Sequence, residues 1–179
     1  MKHICVFCGS RTGNGDAYAS MAAEAARTIV RAGYGIVYGG GSVGLMGIVA
    51  DSALACGGEV IGVIPQALAL AEVAHQGLAQ LHVVTSMHER KALMDNFSDA
   101  FLALPGAFGT MDEFCEVLTW RQLAIHDKPI GLLNYRGYYD ALLHLFASMV
   151  AEGFLTVQSS RLFAHASTVA ELLDQMFVP

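Results

Sequence analysis

Two acidic side chains, Glu113 and Glu116, follow directly on a glycine-rich run, and an Arg90-Lys91 pair stands upstream of them. Carboxylates three residues apart share one face of a helix. The plainer reading is that acids near a helix start complement its dipole. Arg90 and Lys91 are the only adjacent Arg/Lys pair in the chain. They fall in the first turns of a predicted helix, where the dipole disfavours cations. A residue placed against local preference often has another task. Here that task is pairing with a ligand anion or with Glu113, and the plainer reading is a solvated surface pair.

Two glycine clusters accompany these charges. Leu104-Pro105-Gly106-Ala107-Phe108-Gly109-Thr110-Met111-Asp112-Glu113 lies between a predicted strand and a predicted helix. Amides around Gly106–Thr110, with the Thr110 hydroxyl, are suited to cradle a phosphate. No lysine follows the last glycine, so this is not a Walker loop. The other cluster runs Gly39-Gly40-Gly41-Ser42-Val43-Gly44-Leu45-Met46-Gly47. Its glycines, Gly40 and Gly41 among them, let the backbone approach a ligand. It matches G-x-G-x-x-G, but a dinucleotide site also wants an acid at the end of the next strand. That strand ends Val63-Ile64-Pro65-Gln66, so NAD is not expected.

The elements that must position these groups alternate. Strands are predicted over His3–Cys8, Gly35–Tyr38, Glu59–Ile64, Leu81–Val84, Ala100–Leu104 and Pro129–Leu133, with a short one over Arg161–His165. Helices are predicted from Asp16, as N-cap, to Ala32, closed by Gly33, and from the first glycine cluster to about Cys56. Others span Ser86–Ser98, Phe108–Ile125, Tyr138–Ala151 and Thr168–Phe177, and residues 65–80 read as a loop holding a helical turn. This alternation gives an α/β, doubly wound, mostly parallel sheet with helices on both faces, Rossmann-like in outline. Ligands bind such sheets beyond the carboxyl ends of the strands. That rule selects the loops Gly9–Asn14, with Ser10, Gly39–Gly47, Pro65–Leu78 and Pro105–Thr110.

A chain of 179 residues fits one domain, 1–179. The composition is 54% hydrophobic. That surplus points to a homodimer interface or to a deeply buried parallel sheet. The net charge is −6 with ten Lys and Arg, which gives no nucleic-acid footprint but suits a single phosphate monoester. No run reaches the ~20 apolar residues of a membrane span, and the N-terminus reads as a strand rather than a secretory signal. Cys5, Cys8, Cys56 and Cys115 suggest no disulfide framework, so the expected compartment is the cytoplasm. Cys5 and Cys8 would point to opposite faces of a strand, which disfavours a metal or redox role. The seven histidines are scattered without ligand spacing, and neither metal nor cofactor is expected.

Taken together, these segments closely resemble the Lonely Guy family, the cytokinin riboside 5′-monophosphate phosphoribohydrolases, often labelled lysine decarboxylase-like. The family's P-G-G-x-G-T-x-x-E loop matches Pro105–Glu113, and its M-H-x-R-K helix start matches Met87-His88-Glu89-Arg90-Lys91. Phe7-Cys8-Gly9-Ser10, Gly39–Gly47 and Leu118-Thr119-Trp120-Arg121-Gln122-Leu123 support the match. The resemblance implies a Rossmann-like dimer that hydrolyses a purine nucleoside 5′-monophosphate to free base and ribose 5-phosphate. It implies Arg90 and Glu113 as the catalytic pair. It implies Lys91, the segment Ala107, Phe108, Gly109, Thr110, Met111, Asp112 and Glu113, and Thr119 as substrate contacts, with Glu72 matching by its distance before Arg90. The departure is Ala107, where the family has its second glycine. A methyl group there crowds a phosphate, or matters only if φ must be positive.

Cleavage of such a bond passes through an oxocarbenium-like sugar. Glu113 would stabilise that charge and activate a water, and Arg90, which holds its proton, would act electrostatically. Two competing readings remain. A pyridoxal-phosphate decarboxylase needs a Schiff-base lysine, and of Lys2, Lys91 and Lys128 only Lys91 lies near the site. A nucleotide-binding or carrier module would need the glycine loops but no carboxylate at the sugar.

Overall fold

The computed structural model describes residues 1–69 and 74–177. Glu72 lies outside the described residues. The strands are β1 (His3–Phe7), β2 (Gly35–Tyr38), β3 (Val60–Pro65), β4 (Gln80–Val84), β5 (Ala100–Ala103), β6 (Ile130–Leu133) and β7 (Ala164–Ala166). They form one sheet in the order β4-β3-β2-β1-β5-β6-β7, and every pairing is parallel. The helices are α1 (Ala17–Arg31), α2 (Gly44–Ala55), α3 (Gln66–Ala69), α4 (Met87–Asn96), α5 (Phe108–Gln122), α6 (Asp140–Ala151) and α7 (Val169–Phe177). This is the doubly wound Rossmann-like architecture that the alternation predicts.

Parallel strands covered on both faces read as continuous apolar runs. Gly35–Tyr38, Val60–Pro65, Ala100–Ala103 and Ile130–Leu133 are buried throughout. Alternate residues feed two cores. Ile4, Val6, Ile36, Tyr38 and Leu102 meet α1, α2 and α7 on one face. Cys5, Phe7, Val37, Val63 and Phe101 meet α4 and α5 on the other. Cys5 and Cys8 therefore face opposite cores, both as free thiols, as their spacing predicts. α1 turns Met21, Ala22, Ala25, Ala26 and Ile29 inward at helical spacing.

Three local expectations shift. Asp16 precedes α1, but its backbone is already helical (φ −89°, ψ −6°) and its side chain makes no capping bond. Its carbonyl accepts from Ser20 N at 2.9 Å instead. Gly33 does close the helix, at φ +86°. The tail strand forms over Ala164–Ala166, after a 3₁₀ turn at Ser159–Arg161. α6 begins at Asp140, after a 3₁₀ turn at Tyr135–Gly137.

The helix that carries the basic pair starts on a reciprocal cap. The Ser86 side chain accepts from Glu89 N at 3.1 Å, and the Glu89 carboxylate accepts from Thr85 N and Thr85 Oγ1, both at 2.8 Å. The Ser86 bond satisfies one donor that the helix leaves open, and the Glu89 bonds tie down the residue before the cap. The cap also fixes the start of the helix that carries Arg90 and Lys91. The bonds from the Thr85 backbone and hydroxyl hold the Glu89 carboxyl below its ordinary pKa.

Two outcomes follow for α4. Ser86→Ala lowers stability by about 1 kcal/mol in urea denaturation at neutral pH. A group with a depressed folded pKa stabilises above its unfolded value and loses that contribution as pH falls through the folded one. The stability gap between the protein and Glu89→Gln is therefore full at neutral pH and closes in the acid range below the ordinary carboxylate pKa.

Candidate active site

The strand order descends to β1 and then jumps to β5, so the connections reverse direction between those two strands. Ligands of open parallel sheets bind in the crevice at that reversal. The loops that follow β1, β2 and β5 meet there. Gly9 N donates to Pro105 O at 3.3 Å, and Leu45 N donates to Gly9 O at 3.0 Å. Gly44, at φ +60°, packs so closely that a Cβ would lie 2.2 Å from the Ser10 carbonyl carbon.

Arg90 is the central group. It is 7% exposed, on the second turn of α4. Its Nε donates to Val63 O at 3.1 Å and its Nη2 to Gly39 O at 3.2 Å. Its Nη1 lies 3.5 Å from Glu113 Oε1. One guanidinium thus ties the ends of β2 and β3 to α5. The Glu113 side chain is only 12% exposed. Taking two such charges out of water costs several kcal/mol per ion, so the pair persists only with good partners on every side. The two carbonyls complete that set for Arg90. Gly39 makes the approach possible, since a Cβ there would lie 2.0 Å from Nη2.

The cleft beside this pair has a volume of about 100 Å³, with Cys8, Gly9, Ser10, Ala107, Gly109 and Thr110 in its wall. A larger chamber of about 520 Å³ adjoins it and shares Gly9, Ser10 and Ala107. Thr110 is buried, with its hydroxyl against Gly106, where a Cβ would lie 2.0 Å from Oγ1. The first helical bond of α5 runs from Met111 N to Ala107 O at 3.0 Å. The amides of Phe108, Gly109 and Thr110 precede it and are the donors a helix start leaves open. Ala107 has φ −104°, an ordinary value for an L residue, so its methyl group carries no backbone strain. Burial, and after it the Glu113 charge, pushes the Cys8 thiol far up. Cys8 therefore lines the cleft as a neutral thiol and not as a nucleophile.

The structure separates the expected site residues. Arg90, Glu113, Ser10, Ala107, Gly109 and Thr110 converge on the cleft. Gly106 and Phe108, the latter 92% exposed, line the larger chamber. α5 begins at Phe108, so Asp112, Glu113 and Glu116 lie past its first turn, where the dipole argument for acids has faded. Lys91 faces α5, with Nζ 2.8 Å from Asp112 Oδ2 and 3.4 Å from Glu116 Oε2. Burial pulls its pKa down, but the two carboxylates outweigh that and hold it raised. Met111 packs into the core. Thr119 donates to Cys115 O at 2.8 Å and lines a separate groove with Leu118 and Phe146. Gly40 and Gly41 hold chain rather than the cleft: Gly40 O accepts from His75 N at 3.0 Å, and Gly41 bridges Ala74. The glycine that serves the site is Gly39, signalled only by its place directly after β2.

Gly39→Ala drives a methyl group into the guanidinium and breaks its set of partners. The unfolding free energy in urea is expected to fall by about 3 kcal/mol, the cost of stranding one member of a buried pair.

A family model described as possible lysine decarboxylase matches residues 46–176. The probable cytokinin riboside 5′-monophosphate phosphoribohydrolase LOGL1 of Oryza sativa subsp. japonica is 50% identical over 173 residues, which cover 97% of this chain and 78% of that protein. The cytokinin riboside 5′-monophosphate phosphoribohydrolase LOG1 of Arabidopsis thaliana is 44% identical over 180 residues, covering 99% and 84%. Among solved structures, the Moco carrier protein of Chlamydomonas reinhardtii superimposes with a TM-score of 0.71 at 21% identity, over 98% of this chain and 96% of that one. That likeness concerns the fold. By its sequence, the chain belongs to the Lonely Guy family of cytokinin riboside 5′-monophosphate phosphoribohydrolases.

Proposed function

We propose that this protein hydrolyses the N-glycosidic bond of a purine nucleoside 5′-monophosphate, adenine or N6-modified adenine, giving free base and ribose 5-phosphate. The observation that carries this reading is the buried Arg90–Glu113 pair at the reversal point of the sheet, beside a helix start with open amides. The named activity of relatives at 44–50% identity supports it.

The residues divide the work. Open amides of α5 and the Thr110 hydroxyl receive the 5′-phosphate, a charge that a helix start favours. Anchoring there holds the ribose in place through ground and transition states alike. As the C1′–N bond breaks, its electron pair leaves with the base and positive charge grows on the sugar. The Glu113 carboxylate stabilises that charge and draws a proton from the attacking water. The hydroxyl of the water ends on C1′, and its proton ends on the base. Arg90 keeps its own proton and fixes Glu113 in place. Lys91 and Asp112 serve from behind the pair, and Glu72 and Thr119 belong to the same assignment by their match to the family.

Two further properties go with this reading. α6 is largely apolar yet has no fully buried residue, and Leu145, Phe154 and Val157 beyond the cores stand half exposed or more. We assign this surplus to a homodimer interface. The free cysteines suit a reducing cytoplasm, and among the described residues no helix is long and apolar enough to cross a membrane.

The decisive assay incubates the protein with AMP and with isopentenyladenosine monophosphate and follows free base by chromatography. Release is expected from at least one of them. Glu113→Gln is expected to lower kcat by about 10³-fold or more with folding retained. Saturable AMP binding without release would establish a binding module instead. Sedimentation at micromolar concentration should give a species of twice 19.0 kDa, and a monomer would remove the dimer.

A further inference from the structure

The loop that opens α5 is held from behind by two consecutive tyrosines that no part of the mechanism above employs. The Tyr138 hydroxyl donates to Gly106 O at 2.7 Å, and the Tyr139 hydroxyl donates to Leu104 O at 2.8 Å. They differ in setting. Tyr139 is 3% exposed and belongs to the core, whereas Tyr138 is 45% exposed and stands in the wall of the larger chamber.

In a planar trans peptide the carbonyl and the following N–H point in opposite directions. A Gly106 carbonyl drawn to Tyr138 therefore points the Ala107 N–H away from the Tyr138 hydroxyl. Ala107 lines both the chamber and the catalytic cleft. A peptide rotated the other way would present a carbonyl oxygen where an anion needs a donor. We infer that Tyr138 is a positioning residue for the phosphate. Its hydroxyl fixes the Gly106–Ala107 peptide so that the Ala107 amide joins the open amides of α5 in one anion-binding cradle. The inference rests on the function proposed above, and it adds the residue that sets the polarity of the loop.

The tyrosine ring is anchored independently of its hydroxyl. It makes edge contacts with Tyr18 and Tyr139 at centroid distances of 5.9 and 4.9 Å. Tyr138→Phe keeps those contacts and removes only the donor. A hydrogen bond to a charged group is worth enough that losing one amide weakens binding about tenfold or more. The phosphate stays bound in ground and transition states alike, so the loss falls on KM rather than kcat.

The test compares Tyr138→Phe with the parent protein. Expected are a KM for AMP raised about tenfold, kcat within about twofold, and affinities for ribose 5-phosphate and inorganic phosphate reduced by the same factor as KM. The affinity for adenosine, which lacks the phosphate, should stay unchanged, and the Tm should fall by no more than about 4 °C. Unaltered phosphate affinity, or equal weakening of adenosine, would overturn the inference. The phosphate titration needs no turnover. A parent protein that releases no base from AMP therefore defeats the proposed reaction, while the titration still decides the role of Tyr138.

Discussion

The guanidinium of Arg90 is the one charge on which the rest of the site depends. It is buried, it cannot give up its proton, and its three nitrogens are each spoken for: by the carbonyl of Val63, the carbonyl of Gly39 and the carboxylate of Glu113. A buried cation of this kind dictates what surrounds it. β2 must be followed by a residue without a side chain. β3 must present a carbonyl at its carboxyl end. α5 must place an acid one turn beyond its glycine-rich start. The cap formed by Ser86 and Glu89 belongs to the same requirement, because it fixes the start of the helix that carries Arg90.

The same pairing organises the chemistry. Successive residues of α4 grip successive positions of α5, Arg90 at Glu113 and Lys91 at Asp112 and Glu116. The carboxylate that faces the cleft is thus fixed by a charge behind it and by a helix locked to its neighbour. Low exposure strengthens its electrostatic influence on anything bound beside it. That influence is already visible within the protein, where the Cys8 thiol is pushed up by burial and further by Glu113. A carboxylate that adds to the upward push on a thiol would act on a developing sugar cation in the opposite, favourable sense.

Much of this was legible in the sequence, for physical reasons that also explain the rest. The fold could be read because a parallel sheet needs apolar strands and intervening helices, and both periodicities are strong in this chain. Arg90 and Glu113 stood out because charges occur where local preference or spacing is unusual. The partners of Arg90 did not, because two of them are backbone carbonyls, which every residue carries. Among Gly39, Gly40 and Gly41, only tertiary packing decides which faces the guanidinium and which ties the chain near His75. Lys91 reads as a ligand cation until α5 is seen to supply two carboxylates. Thr119 sits far enough along α5 to line a different groove, and Tyr138 comes from a loop with no motif of its own.

The sheet order carries a consequence for how the protein is made. β1 and β5 are neighbours in the crevice, yet the contact from His3 to Asp99 that closes this pairing spans 96 residues. Such non-local pairing is slow, since the chain must give up loop entropy before the contact repays it. During synthesis the first four strands can assemble on one side, but no cleft exists until β5 and the start of α5 have left the ribosome. The site is therefore a late event in folding, and a competent site certifies that the two halves of the sheet have already met at β1 and β5.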